Sequence, residues 1–262
     1  MEDILLFYNI SDVNIKDSIF YYKNKRLILY ELKEKEDINY NLIRYPFHIP
    51  ILNIYNSYIT FYNNKRYVLL SCFNSNRIIT NKDINYLIYN NFRYYINYYE
   101  VWKKKLNNIR NYYDNKDNYL YEYFYSLALN IIQVSKNIDY NQLSYGYCLK
   151  RFQDFIDTDS FYNLCKYRIG GVVTNISLYI KYFFFYLKNN NLDLDIKSNL
   201  SSSDYYFLIC RLLFPNYYFD YNLDDIYNLF INYIEYIKEL LIKIKKRQSV
   251  DLSIFNYLIN LL

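Results

Sequence analysis

The chain changes hydrophobic period once, near residue 75. Over SIFYYKNKRLILYELK (18–33), two β-prone runs flank Lys23-Asn24-Lys25. Asn tolerates positive φ, so the stretch reads as a tight hairpin. SYITFYNNKRYVLLS (57–71) repeats the design with Asn63-Asn64 at its turn. Between them RYPFHIPILN (44–53) carries two prolines and reads as an irregular crossing with a short strand. From residue 81 the spacing becomes helical. The stretch 81–113 contains no Gly or Pro, offers Asn81 as N-cap and Asp83 in the first turn, and predicts one long helix.

Leu120, Phe124, Leu127, Ile131 and Val134 then recur at steps of four and three, one apolar helix face over 118–136. YGYCLKRF (145–152) reads as a buried strand, and 153–170 as polar and irregular. Ile176, Ile180, Phe183 and Leu187 mark another helix, and 189–199 a loop. Ser201 to Ser203 cap a helix that buries Leu208, Ile209, Leu212 and Leu213 and stops at Pro215. A long helix follows, with Leu223, Ile226, Phe230, Tyr233, Ile237, Leu240 and Ile244 on one face, and a short one over 251–261. The pattern predicts an α+β chain with a β-rich N-terminal lobe (1–76) and a mainly helical C-terminal lobe (77–262).

Composition narrows the function classes. Of 262 residues, 53% are hydrophobic, enough for a sizeable core. The 39 tyrosines fit the codon bias of an AT-rich genome; the competing reading is an aromatic contact surface. With 3 glycines there is little scope for phosphate-cradling loops. The net charge of +5 is spread among interleaved acids, which does not point to nucleic acid. Lys103 to Lys105 read as a solvated helix face, and the basic run 243–247 as cations on a helix C-terminus. Cys72, Cys148, Cys165 and Cys210 form no CxxC pair and read as reduced thiols in a reducing compartment. The longest apolar block, YIKYFFFYL (179–187), is too short to span a bilayer, and no leader pattern opens the chain. The expected location is cytoplasmic.

Candidate chemistry is sparse. His48, the one histidine, lies between Phe47 and Ile49 and reads as a packed or hydrogen-bonded structural residue rather than a base; several-histidine zinc centres are excluded. Asp154, Asp157 and Asp159 are the metal candidates on spacing, set against a solvated loop; Asp193/Asp195 read as loop solvation and Asp224/Asp225 as first-turn acids. No GxGxxG or GxxxxGK[ST] occurs, and Gly170-Gly171 reads as a loop entering a helix. Trp102 reads as core.

The order of two hairpins followed by helices is similar in layout to the protein-kinase-like fold in its aminoglycoside-phosphotransferase branch. RLLFPNYYFD (211–220) resembles a segment of the CotS and YutH spore-coat proteins, a kinase-like family of endospore-forming Bacilli. Those proteins carry an Arg-Leu-Leu-Phe-Pro helix end followed by aromatic-Phe and an acid. YEYFYSLALNIIQ (121–133) is similar to a helix on the YutH side: Leu127, Ala128, Asn130, Ile132 and Gln133 match, while Ser126 departs from its Gly and Leu129 from its Glu. YVLLS followed by a helix with WKKKL keeps the family's order, and the resemblance spans about residues 55–240.

The resemblance implies a catalytic loop near Cys148, Leu149 and Lys150, and an acidic loop where Val173, Thr174 and Asn175 stand. Neither place carries the carboxylate that phosphoryl transfer needs. Lys33, placed on a strand, is the one mimic of a phosphate-pairing lysine, and reads as solvated. The expectation is a non-catalytic kinase-like scaffold at the surface of the forming spore. It takes no cofactor, has no catalytic or cofactor-binding residues, and its partners are other proteins, spore-coat components among them. The alternatives are a small-molecule or sugar phosphotransferase using Asp154, Asp157 or Asp159, and an unrelated α+β interaction protein of an AT-rich genome.

Overall fold

Both hairpins turn without glycine. Lys23-Asn24 and Asn63-Asn64 all have positive φ in the computed structural model, the left-handed pair that a two-residue hairpin turn requires. The structure describes residues 2–11, 13, 18–44, 46–72, 76–88, 92–113, 119–149, 151, 157–185, 187, 200–215 and 226–247, with 253, 256 and 257 beyond. The chain divides into two units, Met1–Ile79 with Leu149–Arg168, and Thr80–Cys148 with Ile169–Leu262.

In the first unit a helix, α1 (Glu2–Leu6), precedes β1 (Ile19–Tyr22), β2 (Lys25–Leu32), β3 (Ile49–Pro50), β4 (Thr60–Tyr62) and β5 (Lys65–Cys72). The sheet is antiparallel in the order β1-β2-β5-β3, with β4 also on β5. Successive residues of a strand point to opposite faces. Leu27, Leu29 and Leu69 pack on Ile4, Leu5 and Tyr8 on one face. The alternate residues Ile28, Val68 and Leu70, on the other face, are buried too.

The second unit is mainly helical: α2 (Asn81–Ile88), α3 (Tyr98–Tyr113), α4 (Tyr119–Ser135), α6 (Val173–Phe185), α7 (Ser202–Leu213) and α8 (Ile226–Arg247). A two-stranded sheet joins β6 (Tyr145–Leu149) to β7 (Tyr167–Gly171), and a short α5 (Thr158–Phe161) lies between them in sequence. Thus the expected irregular stretch 153–170 contains a helical turn and a strand.

The long helix expected over 81–113 is two. Phe92 donates its N–H to the Tyr145 carbonyl at 2.8 Å in a single β-bridge, and Ile96 N–H bonds the Tyr145 hydroxyl at 3.0 Å. Asn97 then receives Glu100 N–H on its side chain and restarts the helix as α3. The start of α2 is fixed by Thr80 rather than Asn81, since Thr80 N–H and hydroxyl both donate to Asp83 at 2.8 Å.

Phe124, Leu127 and Ile131 bury the expected face of α4, and Phe230, Tyr233, Ile237 and Leu240 that of α8. Trp102 stacks on Phe207 and Phe214, at centroid distances of 5.6 and 5.3 Å. Phe214 caps α7 and Pro215 follows it, as the helix-stop pattern predicts. The end of α7 is held by Lys181, whose buried ammonium donates to the Arg211 carbonyl at 2.7 Å. Burial, with Arg211 and Lys105 nearby, pulls its pKa well below the usual lysine value. Tyr217, Tyr218 and Phe219 lie outside the described residues, as does most of the helix expected over 251–261. Among the described residues no helix is long and apolar enough to cross a membrane.

Gly171 is required for a close approach. A Cβ there would meet Phe207 Cε1 at 2.8 Å, and Phe207 is fully buried with its ring 4.3 Å from that of Tyr98. The ring has nowhere to retreat, so Gly171→Ala is expected to destabilise by about 1–3 kcal/mol. A thermal melt within error of wild type would refute the close packing.

Candidate functional site

One sheet end in the first unit gathers the polar chemistry. Ile28, Leu70 and Pro50 share the buried face away from α1, with Ile28 opposite Leu70 and Leu70 opposite Pro50. Two residues further along the same face come Arg26 on β2, Cys72 on β5 and His48 just before β3. Period two therefore carries a cation, a thiol and an imidazole into one row. Arg26 and Cys72 are direct register partners.

The segment Asp157–Tyr162 covers this row. Asp157 caps α5, its carboxylate accepting Ser160 N–H at 2.8 Å and the Asn76 amide at 2.9 Å. Thr158 pairs with Arg77 through both backbone and hydroxyl, and His48 N–H donates to the Tyr162 carbonyl at 3.1 Å. Phe47 lies edge-on to Tyr162 and Tyr167. These contacts fix α5, and α5 fixes Asp159.

Arg26 grips Asp159 with both guanidinium arms, Nη1 to Oδ1 at 2.5 Å and Nη2 to Oδ2. The hydrogen bonds to Asp159 raise the Arg26 pKa, and the side chains are only 12% and 8% exposed. His48 is 2% exposed; its Nε2 is 3.1 Å from the Asp159 carbonyl and its Nδ1 has no hydrogen-bond partner. Burial lowers the His48 pKa and outweighs the nearby Asp159, so the ring is neutral at neutral pH. Burial pushes the half-buried Cys72 thiol up to about 12 despite Arg26. A ring nitrogen of His48, Sγ of Cys72 and a carboxylate oxygen of Asp159 lie within 4.8 Å of one another.

The three acids proposed on spacing thus separate. Asp157 is a helix cap, Asp159 an ion-pair member, and Asp154 lies outside the described residues. His48 is packed and hydrogen-bonded, as its setting predicts, yet one of its nitrogens is bare. Arg26 and Cys72 were missed, although strand alternation from Ile28 and Leu70 points to both. Lys33 follows β2 instead of lying on it; it is exposed, and its N–H and carbonyl serve a turn with Glu36 and Arg66.

In the second unit, the places matched to catalytic and metal-binding loops are filled by core. Cys148 is buried and its thiol donates to the Gly171 carbonyl at 3.1 Å. Val173, Thr174 and Asn175 lie in α6 and are buried, and the Asn175 amide donates to the Tyr147 carbonyl at 2.8 Å. Lys150 lies outside the described residues.

No protein-family model and no curated protein matches the chain. Among solved structures it is similar to an aminoglycoside phosphotransferase from Alicyclobacillus acidocaldarius subsp. acidocaldarius DSM 446, with a TM-score of 0.58. Identity is 12%, over 91% of this chain and 92% of that one. The fold is therefore α+β and kinase-like, with an antiparallel sheet in the N-terminal part and helices after it. At that identity the likeness shows the fold alone, and the spore-coat family is not among the matches.

Proposed function

We propose that the chain is a non-catalytic protein of kinase-like fold that works by binding other proteins, at the coat of the forming spore. One observation supports the non-catalytic reading above the rest. Cys148, Val173, Thr174 and Asn175, at the positions where the family resemblance puts base and metal ligand, are all buried. Cys148 and Asn175 spend their polar groups on backbone carbonyls. Phosphoryl transfer depends on positioned charge around the phosphate and its metal. Groups locked in core hydrogen bonds cannot supply it. Asp157 and Asp159 already serve a helix cap and an ion pair. The spore-coat assignment rests on RLLFPNYYFD and the helix at 121–133.

Titration calorimetry of the full chain with ATP and magnesium is expected to give no binding heat, and a fluorescent fusion in a sporulating host is expected to concentrate on the forming spore. Magnesium-dependent ATP binding that disappears in a folded Asp157→Ala variant would overturn the non-catalytic reading in favour of a sugar or small-molecule phosphotransferase with unconventional ligands. A diffuse fusion would overturn the spore-coat placement and leave an interaction protein of another setting.

A further inference from the structure

We propose that His48, Cys72 and Asp159 bind a divalent transition metal of the zinc type, through an imidazole nitrogen, a thiolate and one carboxylate oxygen. Three donor atoms from three separate chain segments converge to within 4.8 Å. In a tetrahedral zinc site, bonds of about 2.0–2.3 Å put such atoms roughly 3.3–3.8 Å apart. A contraction of about 1 Å, within reach of side-chain rotation, closes the set.

The bare nitrogen of His48 points to a ligand independently of that clustering. Nδ1 is buried and has no partner. A buried polar atom left unpaired is costly, and native structures rarely tolerate it without a reason. The other nitrogen, Nε2, faces the Asp159 carbonyl at 3.1 Å. If Nε2 carries the proton and donates there, the lone pair sits on Nδ1. That is how a metal-bound histidine is held: one nitrogen on the metal, the other donating to a carbonyl or carboxylate.

The donor set selects the metal. Imidazole with thiolate suits zinc and its soft or borderline neighbours, and disfavours magnesium and calcium, which take oxygen ligands. Arg26 does not block the carboxylate. Each oxygen has two lone pairs and the guanidinium uses one on each. It becomes the outer partner that fixes the orientation of a ligating acid. Thiolate and carboxylate together offset the dication and Arg26 in part, leaving one net positive charge. Three protein ligands leave a fourth position for water or a partner's side chain. The site lies wholly in the first unit and is independent of whether the chain transfers phosphate.

The test is a cobalt titration of the full chain, followed by absorption. One equivalent is expected to produce a thiolate-to-cobalt charge-transfer band with tetrahedral visible bands, and zinc is expected to displace it. Cys72→Ser is expected to abolish the charge-transfer band, and His48→Gln to weaken binding by about ten-fold or more. Circular dichroism checks that both variants are folded. Zinc is also expected to slow alkylation of Cys72, the half-buried thiol beside three buried ones. Absence of stoichiometric binding overturns the proposal. So does a charge-transfer band that survives in Cys72→Ser, since another cysteine would then be the ligand.

Discussion

Asp204→Ala is expected to cost about 3–5 kcal/mol of stability, because it strips a fully buried carboxylate from the donors of Ser144 and Ser201. Asp204 Oδ1 accepts Ser144 N–H at 2.9 Å; Oδ2 accepts the Ser144 hydroxyl at 2.8 Å and Ser201 N–H at 3.2 Å. Ser201 in turn accepts Asp204 N–H at 3.0 Å, completing a capping box on α7. One side chain therefore starts α7 and holds the entry to β6, where the Ser144 carbonyl receives Val172 N–H. Asp204→Asn keeps one acceptor oxygen but turns an amide toward donors, so an intermediate loss is expected. Chemical denaturation followed by circular dichroism reads both. A loss under about 1 kcal/mol for the alanine variant would mean that water replaces the carboxylate, contrary to its burial.

Arg26→Met carries the second-largest expectation, about 2–4 kcal/mol. It leaves Asp159 in a nearly closed setting without the cation that both its oxygens hold. The penalty is that of an uncompensated buried charge rather than of the lost contact, and this has a distinct signature. Asp159→Leu alone is expected to be about as harmful, whereas the double variant is expected to recover much of the loss, with a coupling of about 2 kcal/mol or more. Strict additivity of the two single losses would show that the pair is solvated in solution.

Local elements were legible wherever chemistry and pattern coincided. Asn24 and Asn63-Asn64 announced their turns, and Ser201 and Pro215 bracketed α7. The break between α2 and α3 was not legible. No helix breaker marks it; it is imposed by Tyr145, some 50 residues away, which takes Phe92 N–H on its carbonyl and Ile96 N–H on its hydroxyl. β7 was hidden in the same way, because a strand whose last two residues are glycines shows itself only once β6 is there to pair with. The Arg26–Asp159 pair spans 133 positions, beyond any spacing argument. His48 was placed correctly as a packed residue, but its unpaired nitrogen depends on where α5 sets the Asp159 carbonyl.

Asparagine provides what glycine usually does here. Among the described residues, left-handed backbone occurs at Asn9, Lys23, Asn24, Asn56, Asn63 and Asn64, and at no glycine. Asparagine is the residue that visits this region most readily after glycine. Its codons begin with two adenines, whereas those of glycine begin with two guanines. A lineage drifting toward A and T can therefore surrender nearly all its glycine and keep its tight reversals. Where asparagine can hold the left-handed positions, scarcity of glycine says little about how sharply the polypeptide bends.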